Sequence, residues 1–361
     1  MKQNVIQTFR GIFDFVIIGA GITGITASIL LNKKGYKVLL IDKSNLNKLK
    51  AGESIHPNGK RIINRIIQES DCLPFTEAYT GNNIYWSSKQ NIHQDFIFNP
   101  NGNGISIDRL NFEKHILKLS KDLGNQVLLN TSFIEYKYGS VLCKKVVENA
   151  VQHFRISSRF IIYATGRYSV RGKSKKVYRD KLIGLTTSVD EKKILDRSKF
   201  LQIESLNQGW LYCNKLPKNK YIISYFTDSD LIDNYLVNFN YAIDKSIAIS
   251  LNHRLTTIEN TFDSRTYWNG FELNENSIFL GDALYSIDPL SGYGITKNLE
   301  MVEYIEAKAH SLINGNRNCI EEYYKLNKHN FNIFEQERVS IYKTVNREYQ
   351  RNKFWERRFS S

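Results

Sequence analysis

Asp14-Phe-Val-Ile-Ile-Gly-Ala-Gly-Ile-Thr-Gly24 is a short apolar run followed by a Gly-x-Gly-x-x-Gly turn. Residues 25–34 continue with apolar positions at helical spacing, and Gly35 then supplies a helix stop. A second apolar run, 36–41, ends at Asp42. This order predicts a strand, a tight turn, a helix and a second strand, which together form a βαβ unit over residues 14–42.

The three glycines of this turn have distinct physical roles in a dinucleotide site. The first permits the tight turn, the second lets the backbone approach a pyrophosphate, and the third lets helix and strand pack closely. The phosphates would meet free N–H groups at the N-terminus of the helix, where the helix dipole favours negative charge. An acidic residue at the end of the second strand is placed to accept hydrogen bonds from a ribose. The predicted contacts are therefore Gly19, Gly21, Ile22, Thr23, Gly24, Asp42 and Lys43.

The composition limits the class of protein. With 361 residues, 42% hydrophobic and 24% charged, the chain is long enough for two modest cores. No apolar run approaches the roughly 18 residues that a membrane helix needs, and the N-terminus lacks the features of a signal peptide, so a cytoplasmic protein without a membrane span is expected. The four cysteines lie far apart, which predicts free thiols and no metal site. The net charge of +14 indicates a solvated basic surface, with an acidic partner as the alternative, and no nucleic-acid-binding motif accompanies it.

The rest of the sequence predicts that the nucleotide-binding domain is discontinuous. Aromatic and polar alternation over 79–104, and several β-like runs within 182–270, indicate a second sheet. Helical periodicity over 110–123, and core strands over 126–129, 159–164 and 277–280, extend the first domain. We therefore expect a mixed α/β protein with a Rossmann-type domain formed by 1–77, 104–181 and 271–310, an inserted β-sheet substrate domain formed by 78–103 and 182–270, and a C-terminal helical segment, 311–361.

A second motif distinguishes FAD from NAD. Ile278-Phe-Leu-Gly-Asp-Ala283 is an apolar strand that delivers a Gly-Asp pair, typical of FAD enzymes in which the aspartate binds the ribityl chain. Directly after it, Asp288-Pro-Leu-Ser-Gly-Tyr-Gly-Ile295 leads into a helix, so backbone N–H groups would face the N1/O2 edge of a flavin. FAD is therefore the predicted cofactor, and the motif adds Gly281, Asp282, Gly292, Gly294 and Ile295 to its contacts. The alternative for Asp282 is a helix cap or a turn.

The combination of these motifs resembles the FAD-dependent monooxygenase superfamily, which includes p-hydroxybenzoate hydroxylase, geranylgeranyl reductases and flavin-dependent tryptophan halogenases. Within it, four further segments are similar to the LodB/GoxB-like flavoproteins that help to build tryptophylquinone cofactors in lysine and glycine oxidases. These segments are Gly52-Glu-Ser54 with Pro57, Ala164-Thr-Gly-Arg167, the stretch from Gly209-Trp-Leu-Tyr212 to Phe226-Thr-Asp228, and Phe354-Trp-Glu-Arg-Arg358. The likeness spans nearly the whole chain.

The resemblance implies further site residues. The additional FAD contacts that it implies are Gly52, Glu53, Ser54, Arg109, Thr165 and Gly166. A surface position is the alternative for Arg109. The residues assigned to the substrate pocket are Trp210, Tyr212, Tyr225 and Pro289. Glu53 and His56, three residues apart beside the flavin loop, are candidates for proton handling, with a structural role in that loop as the alternative.

The activity implied by the resemblance is that of an FAD-dependent monooxygenase, in which a flavin C4a-hydroperoxide transfers an oxygen atom to an aromatic ring. One interpretation is hydroxylation of a tryptophan in a partner precursor polypeptide during tryptophylquinone cofactor biogenesis. A second is a small-molecule aromatic hydroxylase or halogenase of natural-product biosynthesis, although Trp210-Leu-Tyr-Cys-Asn-Lys-Leu-Pro217 stands where halogenases carry Trp-x-Trp-x-Ile-Pro. A third is a non-catalytic flavoprotein that binds a precursor protein.

The source of electrons is also predicted from the motifs. The chain has no second Gly-x-Gly-x-x-Gly, and it has Thr165-Gly166 where the hydroxylases of the superfamily more often carry Asp-Gly. Both observations disfavour direct binding of NADPH. A separate flavin reductase or another donor is therefore the expected partner, beside the precursor polypeptide or small aromatic substrate.

Overall fold

The computed structural model describes residues 6–47, 50, 53–87, 91–147, 150–168, 175–195, 197–270 and 276–359. Its strands are β1 (Ile6–Ile18), β2 (Val38–Ile41), β3 (Ser54–Ile55), β4 (Thr76–Tyr79), β5 (Gly81–Tyr85), β6 (Ile92–Asp95), β7 (Gly104–Ile107), β8 (Gln126–Leu128), β9 (Thr131–Lys137), β10 (Ser140–Val147), β11 (Ala150–Tyr163), β12 (Lys175–Tyr178), β13 (Leu182–Asp190), β14 (Leu201–Leu206), β15 (Gly209–Leu216), β16 (Lys220–Asp228), β17 (Asn260–Asp263), β18 (Tyr267–Gly270), β19 (Ser277–Phe279) and β20 (Tyr285–Ser286). The helices are α1 (Ile22–Lys33), α2 (Pro57–Ile66), α3 (Glu69–Cys72), α4 (Arg109–Asp122), α5 (Tyr235–Asp244), α6 (Gly294–Ile313), α7 (Arg317–Lys343) and α8 (Lys353–Phe359).

The first sheet is built around the predicted βαβ unit. Its parallel strands lie in the order β8-β2-β1-β11-β19. The N-terminal part of β11 also pairs antiparallel with β10, which pairs with β9. Phe15, Val16 and Ile17 of β1 are completely buried, as expected for a parallel strand covered on both faces. Because the carboxyl ends of parallel strands meet at one edge, the glycine turn after β1 and the Gly-Asp pair after β19 lie at the same edge.

The second sheet has the strand order β17-β13-β16-β15-β14-β5-β6. Its two faces carry different side chains because successive residues of a strand point to opposite sides. Leu211, Ile223 and Tyr225 lie in a core cluster with residues of α5. On the opposite face, Trp210 and Phe226 lie in a cluster with aromatic residues of α7 and α8.

Two short sheets connect these parts, β3-β7-β4 and β12-β18-β20. The helix α6 starts beside the first sheet and packs against α1 and α2, and α7 packs against α6 and α8. In the part of the chain that the structure describes, no helix is long and apolar enough to cross a membrane.

The predicted fold class, a Rossmann-type mixed α/β protein, is confirmed. Helix α2 was not predicted, although Pro57 in its first turn and the buried residues Ile62, Ile63 and Ile66 were its sequence signals. The division into domains stays a proposal. Strand β4 spans the predicted limit between 77 and 78, and β18, inside the predicted substrate domain, pairs with β12 and β20 of the Rossmann-type domain.

Candidate functional site

The glycine turn after β1 has the shape that a dinucleotide site requires. A Cβ atom on Gly24 would lie 2.0 Å from the carbonyl oxygen of Gly19, and a Cβ on Gly19 would lie 2.2 Å from the carbonyl oxygen of Ala164. These two glycines therefore permit close packing of α1, β1 and β11. Gly21 differs, because the atom nearest to its Cβ position is Nζ of Lys50, at 3.9 Å. The backbone at Gly21 is thus open to an approaching phosphate.

The N-terminus of α1 lies in a cluster of charged side chains. The buried carboxylate of Glu113 accepts a hydrogen bond of 3.2 Å from the backbone N–H of Ile22. It also accepts from Nζ of Lys50 at 2.6 Å and from Nε of Arg109 at 3.0 Å. Burial alone would raise the pKa of Glu113, but the charges of Arg109 and Lys50 bring that pKa below its ordinary value. Two cations against one carboxylate leave net positive charge at a helix N-terminus, which favours an anionic group such as a pyrophosphate.

Asp42 follows the second strand, as predicted, and connects two loops. Its Oδ2 accepts a hydrogen bond of 2.7 Å from the N–H of Ala20. Its Oδ1 accepts from the N–H and from the hydroxyl of Ser44, both at 2.7 Å. The side chain is partly exposed, and a carboxylate oxygen can accept more than one hydrogen bond. Asp42 can therefore hold the glycine turn in place and still accept a hydrogen bond from a ribose hydroxyl.

The predicted pair Thr165-Gly166 forms a turn after β11. The hydroxyl of Thr165 donates a hydrogen bond of 2.9 Å to the carbonyl oxygen of Tyr168. The ammonium of Lys43 lies 3.3 Å from the centroid of the Tyr168 ring, which connects this turn with the end of β2. Gly166 has a φ of +62°, and no atom of the described residues lies within 4 Å of its Cβ position. Among the described residues, none occupies the space beside Gly166 that a dinucleotide would need.

Gly281 brings the two predicted motifs together. It has a φ of +68°, which favours glycine. A Cβ atom at this position would lie 3.3 Å from Cγ2 of Thr23 in α1 and 3.2 Å from Cγ of Asn298 in α6. A larger residue here would require these two side chains to shift. The glycine turn of the N-terminal part and the Gly-Asp pair of the C-terminal part thus lie next to each other.

Three side chains orient the carboxylate of Asp282. Nδ2 of Asn298 donates to it at 3.1 Å, Nζ of Lys297 donates at 3.4 Å, and Nε of Arg167 lies 3.8 Å away. Burial raises the pKa of Asp282, but Lys297 and Arg167 outweigh burial and hold that pKa below its ordinary value. Oδ1 of Asn298 is buried, with no hydrogen-bond partner among the described residues. An ionised carboxylate beside an unpaired amide oxygen fits the donor hydroxyls of a ribityl chain.

The loop before α6 presents backbone N–H groups to the same site. Gly292 has a φ of +59° and redirects the chain into the helix. The N–H of Lys297 donates to the carbonyl oxygen of Tyr293 at 2.8 Å, whereas the preceding N–H groups of the first turn have no acceptor within the helix. Ile295 is buried in this turn. Within the part of the chain that the structure describes, no atom lies within 4 Å of the Cβ positions of Gly292 and Gly294, which leaves room for a ligand at this end of the helix.

A cavity of about 640 Å³ adjoins this loop. It lies between the second sheet, the loop before α6, and helices α6 and α7. The lining is mainly aromatic and aliphatic, with a few charged groups, as in many small-molecule sites. It includes His56, Tyr79, Ile84, Phe96, Leu201, Ile203, Tyr212, Tyr285, Asp288, Pro289, Tyr293, Lys297, Glu300, Leu326, Ile333, Phe334, Arg338 and Ile341.

His56 lies in the cavity wall and begins α2. Its Nδ1 accepts a hydrogen bond of 3.3 Å from the N–H of Asn58, and its ring packs against those of Phe96 and Tyr293. Burial lowers the pKa of His56, so the imidazole is neutral at pH 7 and carries its proton on Nε2. His56 lines the cavity and Glu53 does not, so only one of the two residues predicted to handle protons lies in the cavity wall. Gly52 lies outside the described residues.

Ser54 connects its strand to the second sheet. Its hydroxyl forms a short hydrogen bond with the hydroxyl of Tyr212 and accepts another from Nδ2 of Asn214 at 2.9 Å. The same amide donates to the hydroxyl of Ser106 at 2.5 Å. Burial raises the pKa of Tyr212 far above its ordinary value, so this phenol stays neutral. The network fixes the position of Tyr212 in the cavity wall.

Two of the four predicted pocket residues do not line this cavity. Trp210 is completely buried, stacks on Phe226 with ring centroids 4.0 Å apart, and donates from Nε1 to the hydroxyl of Tyr342 at 3.2 Å. Tyr225 points to the opposite face of the sheet, where its hydroxyl donates to the carbonyl oxygen of Gln208. The prediction for these two residues is corrected, because α7 and α8 cover Trp210 and strand alternation directs Tyr225 away. Tyr212 and Pro289 line the cavity.

The segments that carry the narrower resemblance form a structural cluster. The buried carboxylate of Asp228 pairs with Arg358 at 2.8 Å and with Arg357 at 2.9 Å. Nε1 of Trp355 donates to the carbonyl oxygen of Leu206 at 3.0 Å. The Thr-Asp segment and the Phe-Trp-Glu-Arg-Arg ending thus attach the C-terminal helix to the second sheet. Their contacts hold the fold around the cavity.

Comparisons with known proteins agree with this geometry. Residues 17–46 match the NAD(P)-binding Rossmann-like domain. Over 373 residues the chain is 22% identical to the putative FAD-dependent oxidoreductase LodB of Marinomonas mediterranea, covering 96% of each protein. The resemblance to the FAD-dependent monooxygenase superfamily is confirmed.

Solved structures share the architecture over nearly the whole chain. The myxobacterial chondrochloren halogenase CndH, a variant of FAD-dependent halogenases, has a TM-score of 0.84 at 18% identity, covering 96% of this chain and 86% of that one. The peptidyl tryptophan dihydroxylase QhpG, essential for tryptophylquinone cofactor biogenesis, has a TM-score of 0.72 at 17% identity, covering 96% of this chain and 79% of that one. The predicted cofactor, FAD, and the predicted class, an FAD-dependent oxidoreductase, are confirmed.

Sequence reasoning missed three residues of the site. Lys297 and Asn298 contact Asp282, and their sequence signal was a Lys-Asn pair one turn after Gly294. Glu113 lies one turn after Arg109 on α4, and this spacing of four residues was the available signal for their ion pair.

Proposed function

We propose that this chain is an FAD-dependent monooxygenase that hydroxylates an aromatic ring, and that its substrate is a tryptophan of a partner polypeptide. The observation that carries the proposal is the aromatic cavity beside the Gly292–Gly294 turn. Its volume of about 640 Å³ lies within the usual range of roughly 300–1,000 Å³ for small-molecule sites, so a two-ring side chain can enter.

The residues that would hold FAD follow from the site. The open backbone at Gly21 and the positive N-terminus of α1 suit the pyrophosphate, and Asp42 suits a ribose. Asp282 and the unpaired oxygen of Asn298 suit the ribityl hydroxyls. The free N–H groups at the start of α6 suit the electron-rich edge of the flavin ring.

The mouth of the cavity supports a polypeptide substrate. Leu326, Ile333 and Ile341 of α7 line the cavity and are also exposed, by 47%, 40% and 42%. Apolar residues at the rim give a flanking peptide backbone a surface to lie on while one aromatic side chain enters. The whole-chain likeness to LodB and to QhpG, a peptidyl tryptophan dihydroxylase, also supports this substrate class.

The side chains of this chain would bind and orient the ring and keep water away from it. When bound and reduced by an external donor, FAD would supply the electrons that activate O2, so that one oxygen atom enters the ring and the other leaves as water. The aromatic walls from Phe96 and Tyr212 exclude water from the ring. Neutral His56 can donate a hydrogen bond from Nε2 to the bound substrate, while its Nδ1 accepts from the N–H of Asn58 and holds the imidazole in place.

The test is turnover of defined substrates by the FAD-loaded protein. We would supply a flavin reductase and oxygen, and offer a tryptophan-containing precursor polypeptide or free tryptophan in parallel. A mass gain of one or two oxygen atoms on the polypeptide tryptophan is the expected result. L326R should reduce polypeptide turnover without changing the affinity for FAD. I247R is the control: Ile247 is an exposed apolar residue outside the cavity lining, so this variant should keep polypeptide turnover unchanged. Turnover of free aromatics alone would contradict the proposed substrate, and a bound flavin that no donor reduces would favour a non-catalytic partner.

A halogenase is the second candidate, favoured by the TM-score of 0.84 with CndH. The same assay with chloride or bromide separates the two reactions, because a halogenase adds a halogen atom to the product. The segment that starts at Trp210 departs from the halogenase motif Trp-x-Trp-x-Ile-Pro, because Tyr212 stands where the motif has its second tryptophan. Hydroxylation therefore stands first.

A further inference from the structure

The ammonium of Lys297 occupies an unfavourable position. Its side chain is only 3% exposed, and burial disfavours a charged amine. It also belongs to the first turn of α6, where the helix dipole disfavours a cation. An apolar side chain of similar volume would avoid both penalties. A role for the charge itself explains this residue better than a role in packing.

The contacts of Lys297 connect the proposed flavin site with the cavity. Nζ donates to the carbonyl oxygen of Tyr285 at 2.6 Å and to Oδ1 of Asp282 at 3.4 Å. It lies 4.0 Å from the centroid of the Tyr285 ring, and the residue lines the cavity. One side chain therefore contacts the carboxylate assigned to the ribityl chain and the space assigned to the substrate.

The charges around Lys297 keep the pair ionised. Burial lowers the pKa of Lys297 to about 8, although the charge of Asp282 opposes this change. On the other side of Asp282, Nε of Arg167 lies 3.8 Å from Oδ2. The other charged groups of the cavity lining are Asp288, Glu300, Glu335, Glu337 and Arg338. Two cations thus flank the carboxylate of Asp282, so the group formed by Lys297, Asp282 and Arg167 carries one net positive charge, although the rest of the cavity lining is mainly acidic.

We propose that Lys297 is a positioning residue of the flavin site: its ammonium fixes the carboxylate of Asp282 and adds positive charge beside the bound FAD. The inference rests on the proposed function, since it takes Asp282 as an FAD contact. Positive charge near a flavin stabilises the reduced, anionic ring more than the oxidised ring. Lys297 should therefore increase the affinity for FAD and raise the midpoint potential.

The test uses the full chain with FAD as the only ligand, and it measures the affinity for FAD and the midpoint potential of the bound flavin. K297M should weaken the binding of oxidised FAD about tenfold, as expected when a charged partner of a partly buried carboxylate is removed. Binding of reduced FAD should weaken about tenfold more, which lowers the midpoint potential by about 30 mV for two electrons. K297R should restore most of the potential. K328M is the matched control, because Nζ of Lys328 lies over Trp268 and the residue is outside the cavity lining.

Each outcome separates this inference from the proposed function. If the wild-type protein binds no FAD, the proposed function fails. If the wild type binds FAD and K297M keeps both the affinity and the potential, only the role of Lys297 is overturned. If circular dichroism shows that K297M is unfolded, K297Q replaces it. If both variants are unfolded, Lys297 supports the fold and the proposal is also overturned.

Discussion

Removal of the Arg358 charge should detach the C-terminal helix and leave the flavin elements unchanged. Arg358 and Asp228 are 2% and 1% exposed, and the guanidinium also donates to the carbonyl oxygen of Phe354 at 2.7 Å. In R358M these buried acceptors lose a charged donor. Breaking one side of a buried pair lowers the free energy of unfolding by about 3–5 kcal/mol. R357M is the matched control, because Arg357 is 28% exposed and its loss should lower that energy by at most about 1 kcal/mol.

The assay is urea unfolding followed by tryptophan fluorescence, since Trp210 and Trp355 both lie in this cluster. Far-ultraviolet circular dichroism without urea checks that each variant is folded. In a double-mutant cycle, R358M combined with D228N should be less destabilising than the sum of the single changes. Equal, small effects of R358M and R357M would refute the structural assignment of the C-terminal motif. The Phe-Trp-Glu-Arg-Arg ending would then need another function, such as contact with a partner.

Three further outcomes follow from the site. G21A should fold normally but lose affinity for FAD at least about tenfold, because its Cβ occupies the open approach to the turn. G24A should instead lower the free energy of unfolding, because its Cβ would lie 2.0 Å from the carbonyl oxygen of Gly19. Isothermal titration with FAD measures the first effect and urea unfolding the second, and equal behaviour of the two variants would contradict both expectations. The pKa of Lys297 is lowered to about 8 from its ordinary 10.5, so the penalty of its buried charge is relieved as the pH rises through this interval. The wild-type apoprotein should gain up to about 3 kcal/mol of unfolding free energy relative to K297M between pH 7 and about 10, and a constant difference would argue against a buried ammonium. Burial lowers the pKa of His56 below 6.5, and protonation would remove the Nδ1 acceptor that holds the ring against the N–H of Asn58. Turnover should therefore fall only in acid solution, and H56N should lose this dependence; a wild-type profile that is already falling at pH 8 would exclude this role.

Local sequence was enough to predict the parts of the site that lie next to each other in the chain. The βαβ unit of β1, α1 and β2, with Asp42 following its second strand, needs only hydrophobic periodicity and glycine conformation. The Gly-Asp pair and the loop into α6 are likewise short motifs. Each of these elements is a contiguous stretch of sequence, so local patterns were enough to predict the fold class and the cofactor.

Tertiary structure decided which distant side chains meet. The alternating pattern of β15 shows that Trp210 and Tyr212 share a face, but only the packing of α7 and α8 buries Trp210 and leaves Tyr212 at the cavity. The environment of Asp282 depends on Lys297 and Arg167, which approach it from separate parts of the chain. Burial and long-range charge contacts set these positions and the associated pKa values, and both depend on packing between elements rather than on local sequence.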